Sequence, residues 1–303
     1  MLSLGQHRIY FLTGKGGTGK TAVSVGLARA LARRGRRVLL LEVDAPRPAI
    51  PSYFGGEIGY DPVVFAPRIE GANLDFYSAL RSYVESVVPA KRVVGLVLRN
   101  KVVRVFLSAT PGARELVLLS RIWELSLDPR WDHIVVDLPA SGHAVALFRC
   151  PFLAQRTFER GPLRSRADQI IDRFSDPSVA TVLFAALPGE MPINETLETC
   201  DAVRAVGLPH VGGVLLNRFP DEAFQPIDEE LIDELATDRE SPTQVAHAVE
   251  AARVTRREQR VAEAGIERLR EQFGEETATL PILPGTHSQV ADALSLMLAG
   301  MVA

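Results

Sequence analysis

The stretch Tyr10–Gly35, YFLTGKGGTGKTAVSVGLARALARRG, limits the folds open to this chain more than any other. It fits G-x-x-x-x-G-K-[ST], the glycine-rich phosphate loop, with Gly14, Gly19, Lys20 and Thr21 in the fixed positions. Such a loop works between a strand and a helix, where glycines let backbone N–H groups converge on phosphate oxygens at the positive end of the helix. An apolar strand, Ile9–Thr13, precedes it, and an alanine- and leucine-rich helix, Lys20–Arg34, follows. Lys20 would set its charge against the β- and γ-phosphates, and Thr21 would give its hydroxyl to Mg²⁺. A second lysine, Lys15, follows the first glycine. The chain holds four lysines, Lys15, Lys20, Lys91 and Lys101, so the pair in this loop is not background.

Beyond the loop, continuous apolar runs alternate with helix-period segments, the pattern of a parallel sheet buried on both faces. Strands are expected at Ile9–Thr13, Arg37–Val43, Asn73–Ser78, His133–Leu138, Ala180–Leu187, Gly212–Leu216 and Thr279–Leu283. Helices are expected at Lys20–Arg34, Asn194–Val206, from about 241 to 273, and from about Ser288 to Leu298. Repeated strand–helix units predict an α/β fold, a doubly wound and mostly parallel sheet with a helical insertion. Residues 1–303 read as a single phosphate-loop domain, its helical subdomain formed mainly by about 79–127 and 150–177.

Composition narrows the function. At 47% hydrophobic and 23% charged residues the chain has ample material for a core, and a net charge of −3 offers no general attraction to nucleic acid or anionic membranes. Cys150 and Cys200 stand alone, without a CxxC, and read as buried apolar thiols in a reducing cytoplasm. The N-terminus enters its first strand almost at once, and no uncharged run approaches the ~18 residues of a membrane span, so a cytoplasmic protein is expected.

Hydrolysis needs an acidic residue for the metal or the attacking water. Two apolar strands end in aspartate, RRVLLLEVD at Asp44 and DHIVVDLP at Asp137. Strand C-termini border the ligand crevice of an open α/β sheet, which points both carboxylates towards a Mg·nucleotide. Glu42 is the weaker candidate, since its side chain alternates within the strand.

The loop GKGGTGKT resembles the deviant Walker A form K-G-G-x-G-K-[ST] of the ParA/MinD and ArsA/Get3 ATPases. VVDLPASGHAVALFRCP (Val135–Pro151) resembles the ArsA/Get3 switch II pattern D-T-A-P-T-G-H. GGVLLNR (Gly212–Arg218) resembles that family's strand ending in an adenine-contacting asparagine, and LPILPG (Leu280–Gly285) its base-sandwiching loop. LPGEMPINETLETCDAVRAVGLP (Leu187–Pro209) is similar to its P-x-x-E-T segment. The likeness is closest to the short bacterial anion-transporting-ATPase-like proteins.

The resemblance implies a Mg²⁺-dependent ATPase that binds ATP, acts as a nucleotide-gated dimer and couples hydrolysis to conformational change and client binding. It implies that Gly14, Gly16, Gly17, Thr18, Gly19, Lys20, Thr21 and Ala22 hold the nucleotide and that Gly142 senses the γ-phosphate. Thr21 and Asp137 would serve the metal and Asp44 the attacking water. Asn217 would read adenine, Arg218 the base or ribose, and Pro284 and Gly285 would pack near the base. Lys15 would reach across the dimer to the partner's phosphates, as an arginine finger does.

The sequence also departs from that pattern. Switch I reads DAPRP (Asp44–Pro48) where the family has D-P-A-H, and switch II has Ser141 for threonine. The zinc-binding CxxC of eukaryotic tail-anchored-protein targeting factors is missing, so no zinc is expected, and two isolated cysteines cannot build the arsenite site of arsenical pumps. The partner would be a second copy or a paralogous chain, with a protein or membrane-protein client. Two alternatives remain open: a MinD/ParA-type positioning ATPase, and a nucleotide-binding regulator with little hydrolysis. The mixed charges of Ala251–Arg270 suit a solvated helix face, which argues against nucleic acid.

Overall fold

The computed structural model describes residues 2–87, 112–220, 226–237 and 242–302. The chain runs β1 (Ile9–Thr13), α1 (Lys20–Arg33), β2 (Val38–Val43), α2 (Pro51–Phe54), β3 (Val63–Ala66), β4 (Ile69–Leu74) and α3 (Phe76–Val87). After residue 111 come α4 (Ala113–Ser126), β5 (His133–Asp137), α5 (Ser141–Thr157), α6 (Pro162–Phe174), β6 (Ala180–Ala186), α7 (Glu190–Val206) and β7 (His210–Phe219). Last are α8 (Pro226–Thr237), α9 (Thr243–Phe273), β8 (Thr277–Pro281) and α10 (His287–Ala299).

The strands form one eight-stranded sheet in the order β3-β4-β2-β5-β1-β6-β7-β8. All neighbours are parallel except β3 and β4. β1 lies between β5 and β6, so the phosphate loop leaves the middle of the sheet. The expected doubly wound α/β architecture is therefore the one observed.

Because side chains alternate along a strand, β1 sends Ile9 and Phe11 to one face and Tyr10 and Leu12 to the other, and all four are fully buried. On the first face Phe11 meets Phe148 of α5 and Phe174 of α6 edge-on, at 5.3 and 5.6 Å. Burying a side chain of this size contributes about 1.5–3 kcal/mol. On the second face α1 packs against α10, and Gly26 makes the closest approach possible. A Cβ there would sit 2.8 Å from Leu294 Cβ.

The sheet corrects several boundaries. The strand expected at Asn73–Ser78 ends at Leu74, and Ser78 lies in α3. Asp75 decides this, for its Oδ1 accepts the Ser78 N–H at 2.9 Å and caps the helix N-terminus. β3, absent from the sequence reading, is a four-residue edge strand whose Val64 is exposed. It turns back antiparallel onto β4 through Arg68 at φ 67°. α7 starts at Glu190, ahead of the expected Asn194, because Pro192 falls in its first turn, where a missing N–H costs nothing. β8 spans Thr277–Pro281, two residues earlier than expected.

Of the apolar stretch 79–127, α3 and α4 are described, and 88–111, with Lys91 and Lys101, lie outside the described residues. Tyr83 of α3, Leu118 of α4 and Ile170 of α6 join the same apolar cluster as the strands beneath them. Among the described residues no helix is long and apolar enough to cross a membrane.

Candidate functional site

The phosphate loop owes its path to its glycines. Gly14 has φ 146°, and a Cβ on it would lie 2.2 Å from the Ala185 carbonyl oxygen of β6. Gly19, at φ 84°, precedes α1, and a Cβ there would come within 2.4 Å of Asn217 Nδ2. Gly14 and Gly19 thus let the loop press against two neighbouring strands. Gly16 and Gly17 instead form an exposed tip where a Cβ would meet nothing. The loop is braced from within: Thr18 Oγ1 donates to the Lys15 carbonyl at 2.9 Å, and Lys20 Nζ folds back to the same carbonyl at 3.1 Å. Burial lowers the pKa of Lys20, opposed by Asp137.

Asp137 and Thr21, assigned from sequence to one metal, meet directly. Thr21 Oγ1 donates to Asp137 Oδ2 at 2.6 Å, and Ser24 Oγ donates to Oδ1 at 3.3 Å. Asp137 ends β5 and is buried, and desolvation pushes its pKa up to about 7 against the pull of Thr21 and Lys20. Glu42 adds to that rise. It sits opposite Asp137 in the β2–β5 register, so two carboxylates share the buried end of the sheet.

Glu42 has a task that the sequence did not reveal. Its carboxylate accepts the Ala49 N–H at 2.7 and 3.0 Å and the Ile50 N–H at 3.1 Å, tying down the loop that follows Asp44. Only the tertiary path of that loop brings these donors to it.

Asp44 lies just past β2 at φ 54°. Among the described residues it is one of three non-glycines at positive φ, and another is Arg218, at φ 55°. Strained backbone of this kind clusters at functional sites. The Asp44 carboxylate is held by Arg114 of α4, a residue the sequence reading passed over. Arg114 Nε donates to Asp44 Oδ2 at 2.8 Å, and its Nη2 donates to the same oxygen. Lys15 is likewise engaged, forming an ion pair with Glu195 of α7, the acid of the P-x-x-E-T segment.

On the far side of the loop, Asn217 is buried and its Nδ2 donates to the Thr18 carbonyl at 2.8 Å. It borders a cavity of about 220 Å³, with Gly19, Ala22, Arg218 and Pro281–Leu283. That is below the roughly 300 Å³ of a typical ligand pocket, a size for part of a nucleotide. Pro284 and Gly285 follow the lining residues directly, and Gly285 takes φ 125° against Gln289. Tyr53 and His287, with rings edge-on at 5.2 Å, complete the wall. No motif announces either, since Tyr53 comes from the four-residue α2 and His287 opens α10. Gly142 is the second residue of α5 and exposed, so its N–H is among those a helix N-terminus leaves without an intrahelical partner.

The glycine-rich loop, the buried Asp137 carboxylate and the cavity beside Asn217 thus lie along one end of the sheet. A family model described as anion-transporting ATPase matches residues 7–166, more than half of the chain. The chain belongs to this family.

It is an ATP-binding ATPase. It is 27% identical over 232 residues to the ATPase BagA of Mycobacterium tuberculosis, covering 73% of this chain and 68% of that one. It is 28% identical over 231 residues to an arsenical pump-driving ATPase of Escherichia coli, covering 68% of this chain and 39% of the other. An uncharacterized Streptomyces coelicolor protein is 31% identical over 157 residues, half of this chain and 39% of its own length. The matched region 7–166 contains the loop, Asp44 and Asp137 but stops before Asn217, which reaches the site through the fold.

Proposed function

We propose that this ATPase is Mg²⁺-dependent and works as a nucleotide-gated dimer, of two copies or with a paralogous chain, coupling slow hydrolysis to the capture and release of a client. The observation that carries the metal is the Thr21–Asp137 pair beside Lys20. A hydroxyl and a carboxylate are the hard oxygen donors that Mg²⁺ takes from a protein, with phosphate and water completing its shell. The metal would neutralise developing phosphate charge. Lys20 and the loop N–H groups hold the phosphates, and the Asn217 amide and the 281–285 segment hold the base. Asp44 orients the attacking water, and Gly142 N–H meets the γ-phosphate.

The dimer reading rests on Lys15. It sits beside the exposed Gly16–Gly17 tip, half its side chain open to solvent, where a second chain can exchange Glu195 for a phosphate. The chain is one domain whose helices α3, α4 and α6 pass the nucleotide state on to the client, and its site of action is the cytoplasm. The metalloid pumping in the name of the E. coli relative does not transfer to this chain. Cys150 and Cys200 are buried, and desolvation raises both thiol pKa values, Cys200 to about 12, which withholds the thiolates such a site needs.

The test is phosphate release per chain in Mg·ATP as protein concentration rises, for wild type and Lys15→Ala. Specific activity should climb with concentration in the wild type and stay flat and at least tenfold lower in the variant. Activity independent of concentration, or untouched by Lys15→Ala, refutes the dimer.

A further inference from the structure

We infer that Arg114 is a positioning residue for hydrolysis: it latches the Asp44 carboxylate away from the water it orients, and turnover requires that ion pair to open. The inference rests on the reading of Asp44 given above.

Three observations carry it. The pair is built to hold the carboxylate and nothing else about the loop. Two guanidinium nitrogens converge on Asp44 Oδ2, and charge-assisted bonds of this kind are roughly twice as strong as neutral ones. The main chain around Asp44 is fixed without them. Its N–H donates to the Leu74 carbonyl at 2.9 Å, and Ala45 exchanges two hydrogen bonds with the Asn73 amide, at 3.3 and 2.9 Å. What remains variable is the side-chain direction of Asp44, and Arg114 sets it.

Next, Arg114 sits at a helix position that disfavours a cation. It is the second residue of α4, behind Gly112 at φ 80°, where the helix dipole disfavours a cation. An arginine at that position costs its own helix stability, and among the described residues it gains it back through Asp44 and through the face of Phe76, 5.0 Å from the guanidinium carbon.

Finally, the latch is openable. Side-chain exposures of 44% for Arg114 and 24% for Asp44 leave the pair within reach of solvent and of a competing charge. Arg114 belongs to α4 and Asp44 to the loop that follows β2, so the pair joins the helical region to the end of the sheet. Both donors fall on Oδ2, which fills that oxygen's two lone pairs and leaves Oδ1 to meet water in the direction that Arg114 sets.

The experiment measures kcat and KM for Mg·ATP on the full chain for wild type, Arg114→Ala, Arg114→Lys, Asp44→Asn and the double variant. Arg114→Ala should raise kcat about fivefold, equivalent to about 1 kcal/mol, with KM within about twofold. Arg114→Lys, which keeps the charge but loses the two-nitrogen grip, should fall between. Asp44→Asn should lower kcat at least tenfold, and the double variant should match it, because Arg114 acts through Asp44. Saturated wild-type kcat should also rise between about 0.05 and about 0.5 M KCl as the pair is screened, while Arg114→Ala stays flat.

If Asp44→Asn is inactive but Arg114→Ala turns over at or below the wild-type rate, the latch is wrong and Asp44 keeps its role. If Asp44→Asn retains wild-type kcat, the reading of Asp44 fails and the latch falls with it. Urea melts accompany each variant, and if Arg114→Ala does not fold, Arg114→Lys decides on the same criteria.

Discussion

Replacing Asn217 by aspartate exchanges the amide NH2 for an oxygen and, where the carboxyl ionises, adds a buried charge, so its effect can be worked out from one contact and one titration. Asn217 Nδ2 donates to the Thr18 carbonyl at 2.8 Å, in a buried position against Gly19. The substitution removes that hydrogen bond, worth ~1 kcal/mol, and leaves a buried carbonyl facing another acceptor, which costs ~1–3 kcal/mol more. The expected loss is therefore roughly 2–4 kcal/mol at pH 7.5, against a total stability of about 5–15 kcal/mol for a domain, so the variant stays folded but weaker.

The pH dependence has a definite sign. Burial opposite a carbonyl raises the pKa of the introduced carboxyl above its ordinary value near 4. Below that value the group is protonated in both states, its O–H can donate to Thr18, and the penalty shrinks. The penalty grows as pH rises through the window between the unfolded and the raised folded pKa. Urea unfolding of wild type and Asn217→Asp at about pH 4.5 and 7.5 measures both quantities, and nucleotide titration should show affinity down at least tenfold. A loss below about 0.5 kcal/mol at pH 7.5, or one independent of pH, would refute the assignment of Asn217 as the brace of the phosphate loop.

Two further outcomes test the frame around the site. Gly26→Val forces branched methyls into the α1–α10 contact, where even a Cβ would stand 2.8 Å from Leu294 Cβ. It should cost about 2–3 kcal/mol in urea melts, and a change within about 0.5 kcal/mol would mean the helices can move apart freely. Asp132 is held by the Arg37 side chain, by Nη2 at 2.7 Å and Nε at 3.2 Å, and by the Arg37 N–H at 2.7 Å. Chiefly through the side-chain bonds, its pKa is pushed down to about 2. A lowered folded pKa stabilises above the ordinary carboxylate pKa and is lost as pH falls through the folded value. Asp132→Asn should therefore cost about 1 kcal/mol at pH 6, after screening at a pair open to water, and progressively less as the pH falls towards 2. A loss that stays constant over that range contradicts the pairing.

The central sheet was legible in the chain because its strands are buried on both faces and so appear as unbroken apolar runs; Ile9–Thr13 and Ala180–Ala186 are buried along their whole length. β3 was not, because a short edge strand with Val64 in solvent has no such run. The end of β4 was misread since Asp75, a helix cap, follows apolar residues that a strand could also use.

At the site the division is sharper. The phosphate loop is a local device: its glycines, Lys20 and Thr21 act through backbone geometry that a dozen residues contain, so spacing alone discloses them. Asp44 and Asp137 were visible because a strand end in a parallel sheet faces the crevice whatever the rest of the fold does. Arg114, Tyr53 and His287 had no comparable signal, Glu42 stood only as the weaker candidate, and Glu195 lay in the P-x-x-E-T segment with nothing to show that it meets Lys15. Each acts on a residue or cavity wall supplied by another element. Arg114 lies 70 residues from Asp44 and Glu195 180 residues from Lys15. Sequence determined the chemistry that local backbone can build. Tertiary structure decided which charges meet, since a guanidinium and a carboxylate interact over a few ångströms of space, and separation along the chain carries no information about that distance.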